Sequence, residues 1–94
     1  MIKHVVCFKL KDKKDIDKAV KTLLSMKGKV PTAIEIEVGK DFLGSARSFD
    51  IFLSVIVKDR TSLEEYQKDE YHVSVVKKFM HQVVEKSVAV DFEI

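Results

Sequence analysis

Cysteine is nearly absent from this chain, and Cys7 is the only one. Without a second cysteine no intrachain disulfide can form, which indicates a reducing compartment. The position of Cys7 inside an apolar run favours a small buried side chain over a reactive thiol. No apolar run approaches the ~18 residues of a membrane span, and the first predicted strand begins at residue 2, which leaves no room for a signal peptide. We therefore expect a cytoplasmic protein without a membrane partner.

An excess of one charge is also missing, because 17 basic and 15 acidic residues give a net charge of +2. The lysines are scattered, whereas nucleic-acid binders carry a basic stripe that neutralises several phosphates. Asp69 and His72 have a spacing that a helix can bring together, but no Cys or His pair with ligand spacing accompanies them. The chain also lacks a glycine-rich phosphate loop. We expect no nucleic-acid partner, no metal site and no cofactor.

The 94 residues, of which 46% are hydrophobic, fit one folded domain. Period-two alternation predicts strands, and apolar residues at helical spacing predict helices. Strands are expected at 2–10, 33–38, 50–57 and 87–94, and helices from the charged turn at 11–14 to Gly28, up to Tyr66, and over 70–85. The apolar stripe of the last helix is predicted to consist of Val73, Val76, Phe79, Met80, Val83 and Val84. This order predicts an α+β, ferredoxin-like βαββαβ sandwich with both helices of the motif on one side of an antiparallel sheet.

Helices cover only one face of such a sheet. Val5 and Cys7 on the first strand would then leave apolar surface on the open face. One of two sets on the third strand would add to it, either the Ile51 set (Ile51, Leu53, Val55 and Val57) or the Phe52 set (Phe52, Ser54 and Ile56). An apolar patch of several hundred Å² is unusual on a soluble monomer. A second copy of the same face is the simplest cover through an isologous two-fold contact, so we expect a homodimer.

Chemistry is plausible only around the polar stretch from Tyr66 to His72. If Asp69 caps the last helix, His72 lies in its first turn, where the positive end of the helix dipole favours a neutral imidazole suited to a general base. His4 lies on the more apolar face of the first strand and can approach His72 over the end of the sheet. The alternative interpretation is structural. Each histidine would then be a hydrogen-bonded core residue, and Tyr66 would pack over the core with its hydroxyl in water.

Several motifs in order resemble the stress-responsive dimeric α/β-barrel (Dabb) domain. They are Lys3-His-Val-Val, Phe8-Lys-Leu-Lys, Val30-Pro31, Val38-Gly39-Lys-Asp41, Phe49-Asp50-Ile-Phe-Leu and Leu63-Glu-Glu-Tyr66, followed by His72 and Phe79. The resemblance covers nearly the whole chain, so residues 1–94 are identified as one such domain. It implies a ferredoxin-like protomer and a homodimer that forms a barrel.

A plant polyketide cyclase of this family uses a strand histidine, a tyrosine and a histidine before the last helix for acid–base chemistry. The resemblance implies that His4, Tyr66 and His72 match those positions. It also implies a pocket between the sheet and the first helix, lined by Val6, Phe8, Leu23 and Leu24. The chain departs from the family at Asp69-Glu70, where His-Pro is common, and it has aliphatic residues on the first helix where the cyclase has aromatic ones, including a further tyrosine.

Three functions are compatible with these features. The first is a homodimeric Dabb-domain protein of undefined biochemical role that binds a small apolar ligand beside the two histidines and Tyr66. The second is a small cofactor-free enzyme, cyclase-like, lyase-like or monooxygenase-like, with His72 as general base. The third is a purely structural dimerisation module. An open pocket with both imidazoles in its wall would favour the first two, and a filled one the third.

Overall fold

The computed structural model describes all 94 residues. Its strands are β1 (Ile2–Leu10), β2 (Glu35–Lys40), β3 (Ile51–Val57) and β4 (Val84–Glu93). Its helices are α1 (Ile16–Leu24), α2 (Arg60–Lys68) and α3 (Lys78–Val83), and a π-helical segment, His72–Lys77, leads directly into α3. We call residues 72–83 together the last helix. No helix is long and apolar enough to cross a membrane.

The four strands form one antiparallel sheet in the order β2-β3-β1-β4. The two central strands, β1 and β3, are those whose sequences are apolar on both faces, as predicted. All helices pack on one face, where sixteen hydrophobic residues form the core. This is the ferredoxin-like βαββαβ architecture that the order of elements predicted. Alternate residues of β1, from Ile2 through His4 and Val6 to Leu10, point into the core.

Several predicted boundaries differ from the observed ones. The first helix ends at Leu24 rather than Gly28, because residues 26–29 form turns and Gly28 supplies a φ of 78° within them. The second strand runs to Lys40, so Gly39 lies inside it, opposite Phe52, rather than at its end. The pairing with β3 continues past the glycine because β2 is an edge strand with room on its open side.

The last helix ends earlier than predicted, and one valine of its predicted apolar stripe is exposed. The helix ends at Val83, and Val84 is already extended and paired with Leu10, so β4 begins three residues before the predicted Ser87. Val76, Met80 and Val83 are buried as the apolar stripe predicted, but Val73 is 45% exposed. The predicted stripe assumes 3.6 residues per turn, and the π-helical turn does not keep that spacing.

The other face of the sheet has no helix over it. We call this the open face, and its apolar residues alternate along β1, β3 and β4: Val5, Cys7, Phe52, Ile56, Val88, Val90 and Phe92. The three residues on β4 are 54%, 60% and 44% exposed, respectively. The third strand therefore contributes its Phe52 set, and its Ile51 set is in the core. The contribution of β4 makes the apolar patch larger than the sequence indicated.

Asp50 is a buried carboxylate that joins the start of β3 to the end of β1. Its Oδ2 accepts a hydrogen bond from the Leu10 amide at 2.8 Å, and its Oδ1 accepts one from Lys13 Nζ at 2.8 Å. Burial by itself would raise the pKa of Asp50, but the hydrogen bonds from Lys13 and Leu10 outweigh burial and lower this pKa. The ionised form is therefore the one that the fold stabilises.

We expect Asp50→Ala to destabilise the fold by about 1–3 kcal/mol, because it leaves the buried Leu10 amide without a partner. The contribution of the carboxylate is complete above the unfolded pKa of 3.8 and is lost as the pH falls through the lower folded pKa. Urea unfolding at neutral and acidic pH measures both effects. Asp17→Ala is the matched control, because Asp17 pairs with Lys40 on the surface. Equal losses of stability in Asp50→Ala and Asp17→Ala would contradict the stabilising role of the Asp50 carboxylate.

Candidate functional site

A cavity of about 420 Å³ opens between the sheet and the last helix. Its size lies in the range of small-molecule sites. The wall is mostly apolar and is drawn from β1, β3, α1 and the last helix: Val6, Phe8, Leu53, Leu23, Val76 and Met80. The polar part of the wall includes His4, His72 and Lys77, and the exposed His81 lies at the margin. The cavity thus combines an apolar interior with a few nitrogen-bearing side chains.

His72 is held at the start of the last helix by two hydrogen bonds. Its amide donates to Asp69 Oδ1 at 3.0 Å, which is the cap that the sequence predicted. Its ring Nδ1 lies 2.9 Å from the carbonyl oxygen of Tyr66. Because a carbonyl oxygen only accepts, Nδ1 carries the hydrogen and Nε2 holds the free lone pair of a neutral ring. Nε2 makes no hydrogen bond within the chain and is not sealed from the cavity or solvent.

The environment of His72 favours this neutral form. Burial lowers the pKa of His72, and the nearby positive charge of Lys77 lowers it further, while the bond to the Tyr66 carbonyl opposes both. The net shift is downward. A neutral imidazole with an unpaired Nε2 is a proton acceptor, so the ring has the state that a general base requires. The π-helical segment that begins at His72 is a rare feature that is frequent at functional sites.

His4 is held from the opposite side, by the edge strand. Antiparallel pairing of β1 with β4 sets His4 directly across from Asp91. Both side chains lie on the helix-covered face, where His4 Nδ1 bonds to Asp91 Oδ1. A carboxylate only accepts, so Nδ1 is again the protonated nitrogen. His4 Nε2 has no partner within the chain, as in His72.

Tyr66 lies between the two imidazoles. Its ring centroid is 5.7 Å from that of His4 in an edge-on arrangement and 4.3 Å from that of His72 in a tilted one. Its hydroxyl is completely buried and donates to the sulfur of Met26 at 3.7 Å. Burial raises the pKa of Tyr66, and the charge of Asp69 raises it further, so the hydroxyl stays protonated. Tyr66 thus contacts the site mainly through its ring and its carbonyl.

The structure brings most of the predicted site residues to this cavity and leaves one outside it. His4, Tyr66, His72, Val6, Phe8 and Leu23 all line the wall. Leu24 is half-buried but does not line the cavity, because successive residues of a helix point about 100° apart and Leu23 takes the inward position. The cavity lies against the last helix as well as the first, with Val76 and Met80 in its wall.

Asp91 is the residue of this site that sequence reasoning missed. The alternation of β4 already set Asp91 on the face opposite to Val90 and Phe92. What was lacking was the register between β1 and β4, which pairs residue 4 with residue 91. No local pattern carries that information, because the two residues are 87 positions apart.

The whole of this fold matches one family model, the Stress responsive A/B Barrel Domain, over residues 2–94. The chain belongs to this family. No curated protein matches the chain. Membership agrees with the resemblance seen in the sequence motifs and with the ferredoxin-like topology of the sheet.

Solved structures with this fold include proteins with and without a known activity. A dimeric ferredoxin-like protein of unknown function from Bacteroides fragilis is 22% identical, with a TM-score of 0.85, over 99% of this chain and 95% of that chain. A dimeric ferredoxin-like protein of unknown function from Thermobifida fusca is 18% identical, with a TM-score of 0.84, over 99% of this chain and 90% of that chain. A hydroxynitrile lyase from Passiflora edulis is 18% identical, with a TM-score of 0.82, over 99% and 92%. At these identities the likeness establishes the fold alone.

The titratable side chains of the chain do not form a metal cluster. No group of three or more His, Cys, Asp or Glu residues is arranged to hold an ion. Asp69 binds the His72 amide through its carboxylate and acts as a helix cap.

Proposed function

We propose that this Dabb-domain chain, folded as one domain over residues 1–94, is a cytoplasmic homodimer that binds a small, mainly apolar ligand in its cavity. The ligand carries one acidic or hydrogen-bond-donating group, which meets an unpaired imidazole nitrogen. The observation that carries this proposal is the cavity of about 420 Å³ with an apolar wall and two imidazoles whose Nε2 atoms have no partner in the chain. A purely structural module has no need of such a cavity, since protein interiors are normally filled to high density.

The donor on the ligand follows from the state of the two rings. Both histidines use Nδ1–H in bonds to the protein, so the neutral form of each ring has its lone pair at Nε2. A lone pair binds an O–H or N–H group of the ligand and repels an acceptor. The surrounding valine, leucine, phenylalanine and methionine side chains match an apolar ring or chain. A phenol is the simplest molecule with both properties.

The homodimer is proposed to form through the open face. Val88, Val90 and Phe92 are about half exposed in the single chain, and they continue the apolar surface of Val5 and Cys7. A contiguous patch of this kind marks an interaction surface in a soluble protein. The dimeric proteins from Bacteroides fragilis and Thermobifida fusca, which have the same fold, support a second copy as the occupant.

Binding of p-nitrophenol tests the ligand proposal. We expect the wild-type protein to bind this probe, and His72→Ala to weaken binding by about tenfold, the loss of one well-placed hydrogen bond. Ala89→Phe should abolish binding, because Ala89 lines the cavity and the added ring fills part of it. Calorimetric titration measures the affinities, and circular dichroism verifies that the variants are folded.

Gln82→Ala is the control for His72→Ala, because Gln82 is exposed on the same helix and does not line the cavity. Its affinity for p-nitrophenol should equal that of the wild type. Binding that survives both His72→Ala and Ala89→Phe would locate the probe elsewhere and refute the proposal.

A second candidate function is proton transfer, with His72 as general base in a cofactor-free cyclase, lyase or monooxygenase-like reaction. The neutral state of His72 and its fixed tautomer favour it, because Nε2 is preset to accept a proton from a bound substrate. The hydroxynitrile lyase from Passiflora edulis supports this candidate, because it is an enzyme with a similar fold. His72→Ala should then abolish turnover of a substrate and leave the dimer intact.

A further inference from the structure

A second surface depression, of about 470 Å³, lies along the last strand and α2. We call it the charged groove, because its lining includes Arg60, Glu64, Asp91 and Glu93. Asp91 does not line the main cavity, but its carboxylate is bonded to His4, which does. A single side-chain pair therefore connects the wall of the ligand cavity to the charged groove.

The two partners of this pair differ strongly in their contact with solvent. The His4 side chain is 10% exposed, and the Asp91 side chain is 43% exposed. A carboxylate that serves only to orient an imidazole has no need of that exposure. Here the inner partner reaches the ligand space and the outer partner reaches water, which is the order of groups that a proton path requires.

We propose that His4 and Asp91 form a proton relay between the ligand cavity and the charged groove, an inference that rests on the proposed ligand function. When a ligand fills the cavity it covers the Nε2 side of His4. The carboxylate of Asp91 is then the remaining contact of this ring with solvent. Asp91 acts through His4 and does not touch the ligand, so it is a positioning and relay residue.

Each transfer in the relay is a simple proton exchange. The O–H bond of the ligand breaks and an Nε2–H bond forms on His4. The Nδ1–H bond of His4 then breaks, and the proton passes to Oδ1 of Asp91. Asp91 releases it to a water molecule in the charged groove and becomes a carboxylate again. Between the two transfers the ring of His4 is an imidazolium, and after the second it is neutral again with its hydrogen moved from Nδ1 to Nε2. The reverse sequence returns a proton to the ligand or product.

The charged groups around the pair leave this path unobstructed. In the groove, Arg60 Nη2 is 3.4 Å from Glu93 Oε1, and Glu64 forms no ion pair. On the cavity side the facing titratable groups are His72, Lys77 and His81, and Tyr66 lies between His4 and His72. None of these groups bonds to Asp91, whose one side-chain partner is His4.

The release of a proton from bound p-nitrophenol after a rapid pH jump tests the relay, because the absorbance of this probe reports its ionisation. Asp91→Asn keeps the shape and an acceptor oxygen for His4 but removes the proton-accepting carboxylate. We expect Asp91→Asn to bind the probe as tightly as the wild type and to release its proton about 100-fold more slowly, the lower end of what a positioned proton acceptor contributes. Asp91→Glu should restore part of the rate.

Glu93→Gln is the matched control, because Glu93 lies in the same groove and is not bonded to His4. Its release rate should equal that of the wild type. Equal rates in the wild type and Asp91→Asn, with binding retained in both, would overturn the relay and leave the ligand proposal standing. Slower release in Glu93→Gln to the same extent would also overturn it, since only the charge of the groove would then matter.

Exchange of the His4 ring proton with water, measured by nitrogen-15 NMR on the protein without ligand, tests the relay independently of the probe. A carboxylate that merely protects the Nδ1 hydrogen predicts faster exchange in Asp91→Asn, and the relay predicts slower exchange. Failure of the wild type to bind p-nitrophenol would refute the ligand proposal. Faster or unchanged exchange in Asp91→Asn would refute the relay.

Discussion

Val90→Lys is expected to convert the homodimer into a monomer at micromolar concentration. Val90 is 60% exposed on the edge strand of the single chain, so a lysine fits there without disturbing the core. In a two-fold assembly through the open face, each protomer would bury one ammonium group without a partner. Leaving a buried charge uncompensated costs about 3–5 kcal/mol. A loss of about 3 kcal/mol in the free energy of dimerisation already raises the dissociation constant of the dimer more than 100-fold.

Sedimentation or light scattering over a range of micromolar concentrations measures this change. Val73→Lys is the matched control, because Val73 is also about half exposed but lies on the last helix, away from the open face. That variant should remain a dimer. A wild type that sediments as a monomer would contradict the homodimer itself. A dimer of undiminished stability in Val90→Lys would show that another surface joins the protomers.

The open face also illustrates how far the sequence alone leads. Alternation on β1 separates His4 from Val5 because successive residues of a strand point to opposite faces, and this local rule needs no tertiary information. The choice between the Ile51 and Phe52 sets of β3 does need it. Only the register, with Cys7 opposite Phe52, assigns Phe52 to the open face.

The same distinction between local and distant information explains the errors at the last helix. The predicted apolar stripe assumes a constant 3.6 residues per turn, and this spacing correctly predicts that Val76 and Met80 are buried. The π-helical segment breaks the spacing at Val73. The helix stops at Val83 because Val84 joins the sheet beside Leu10, a contact between residues far apart in sequence.

The candidate site shows a third level of difficulty. Sequence patterns bring His4, Tyr66 and His72 towards one another, since a strand face and a capped helix start converge above the sheet. The atoms that each residue presents depend on partners from other elements. Asp91 reaches His4 from β4, and Met26 reaches the Tyr66 hydroxyl from the turn after α1. His4 and Tyr66 therefore depend on partners that lie 87 and 40 residues away, whereas His72 is held by Tyr66 and Asp69, which are close to it in sequence.

The rings of His4, His72 and Tyr66 have different roles in the site. His4 and His72 each use one ring nitrogen for support and leave the other unpaired. Tyr66 uses its hydroxyl within the core, and its carbonyl supports His72. We therefore propose that the two imidazoles meet the ligand and that Tyr66 positions them, although its place in the family motif matches an acid–base tyrosine.

Substitutions at Tyr66 separate these roles. We expect Tyr66→Ala to destabilise the protein by about 3–5 kcal/mol, because it removes a fully buried ring that separates the two imidazoles. Tyr66→Phe keeps the ring and the carbonyl and loses only the contact of its hydroxyl with the Met26 sulfur, a weak acceptor. Its free energy of unfolding should change by less than about 1 kcal/mol, and its affinity for p-nitrophenol should stay unchanged.

Urea unfolding and calorimetric titration of the two variants measure these differences. Tyr71→Phe is the matched control for loss of a hydroxyl, because Tyr71 donates to Ser25 Oγ at 2.7 Å at the edge of the core. A Tyr66→Phe variant that folds normally but loses probe binding, or proton transfer on any substrate, would assign the hydroxyl a direct role. Retained binding in Tyr66→Phe together with a large loss of stability in Tyr66→Ala would assign the function of this residue to its ring and backbone, and would leave His4 and His72 as the two groups that meet the ligand.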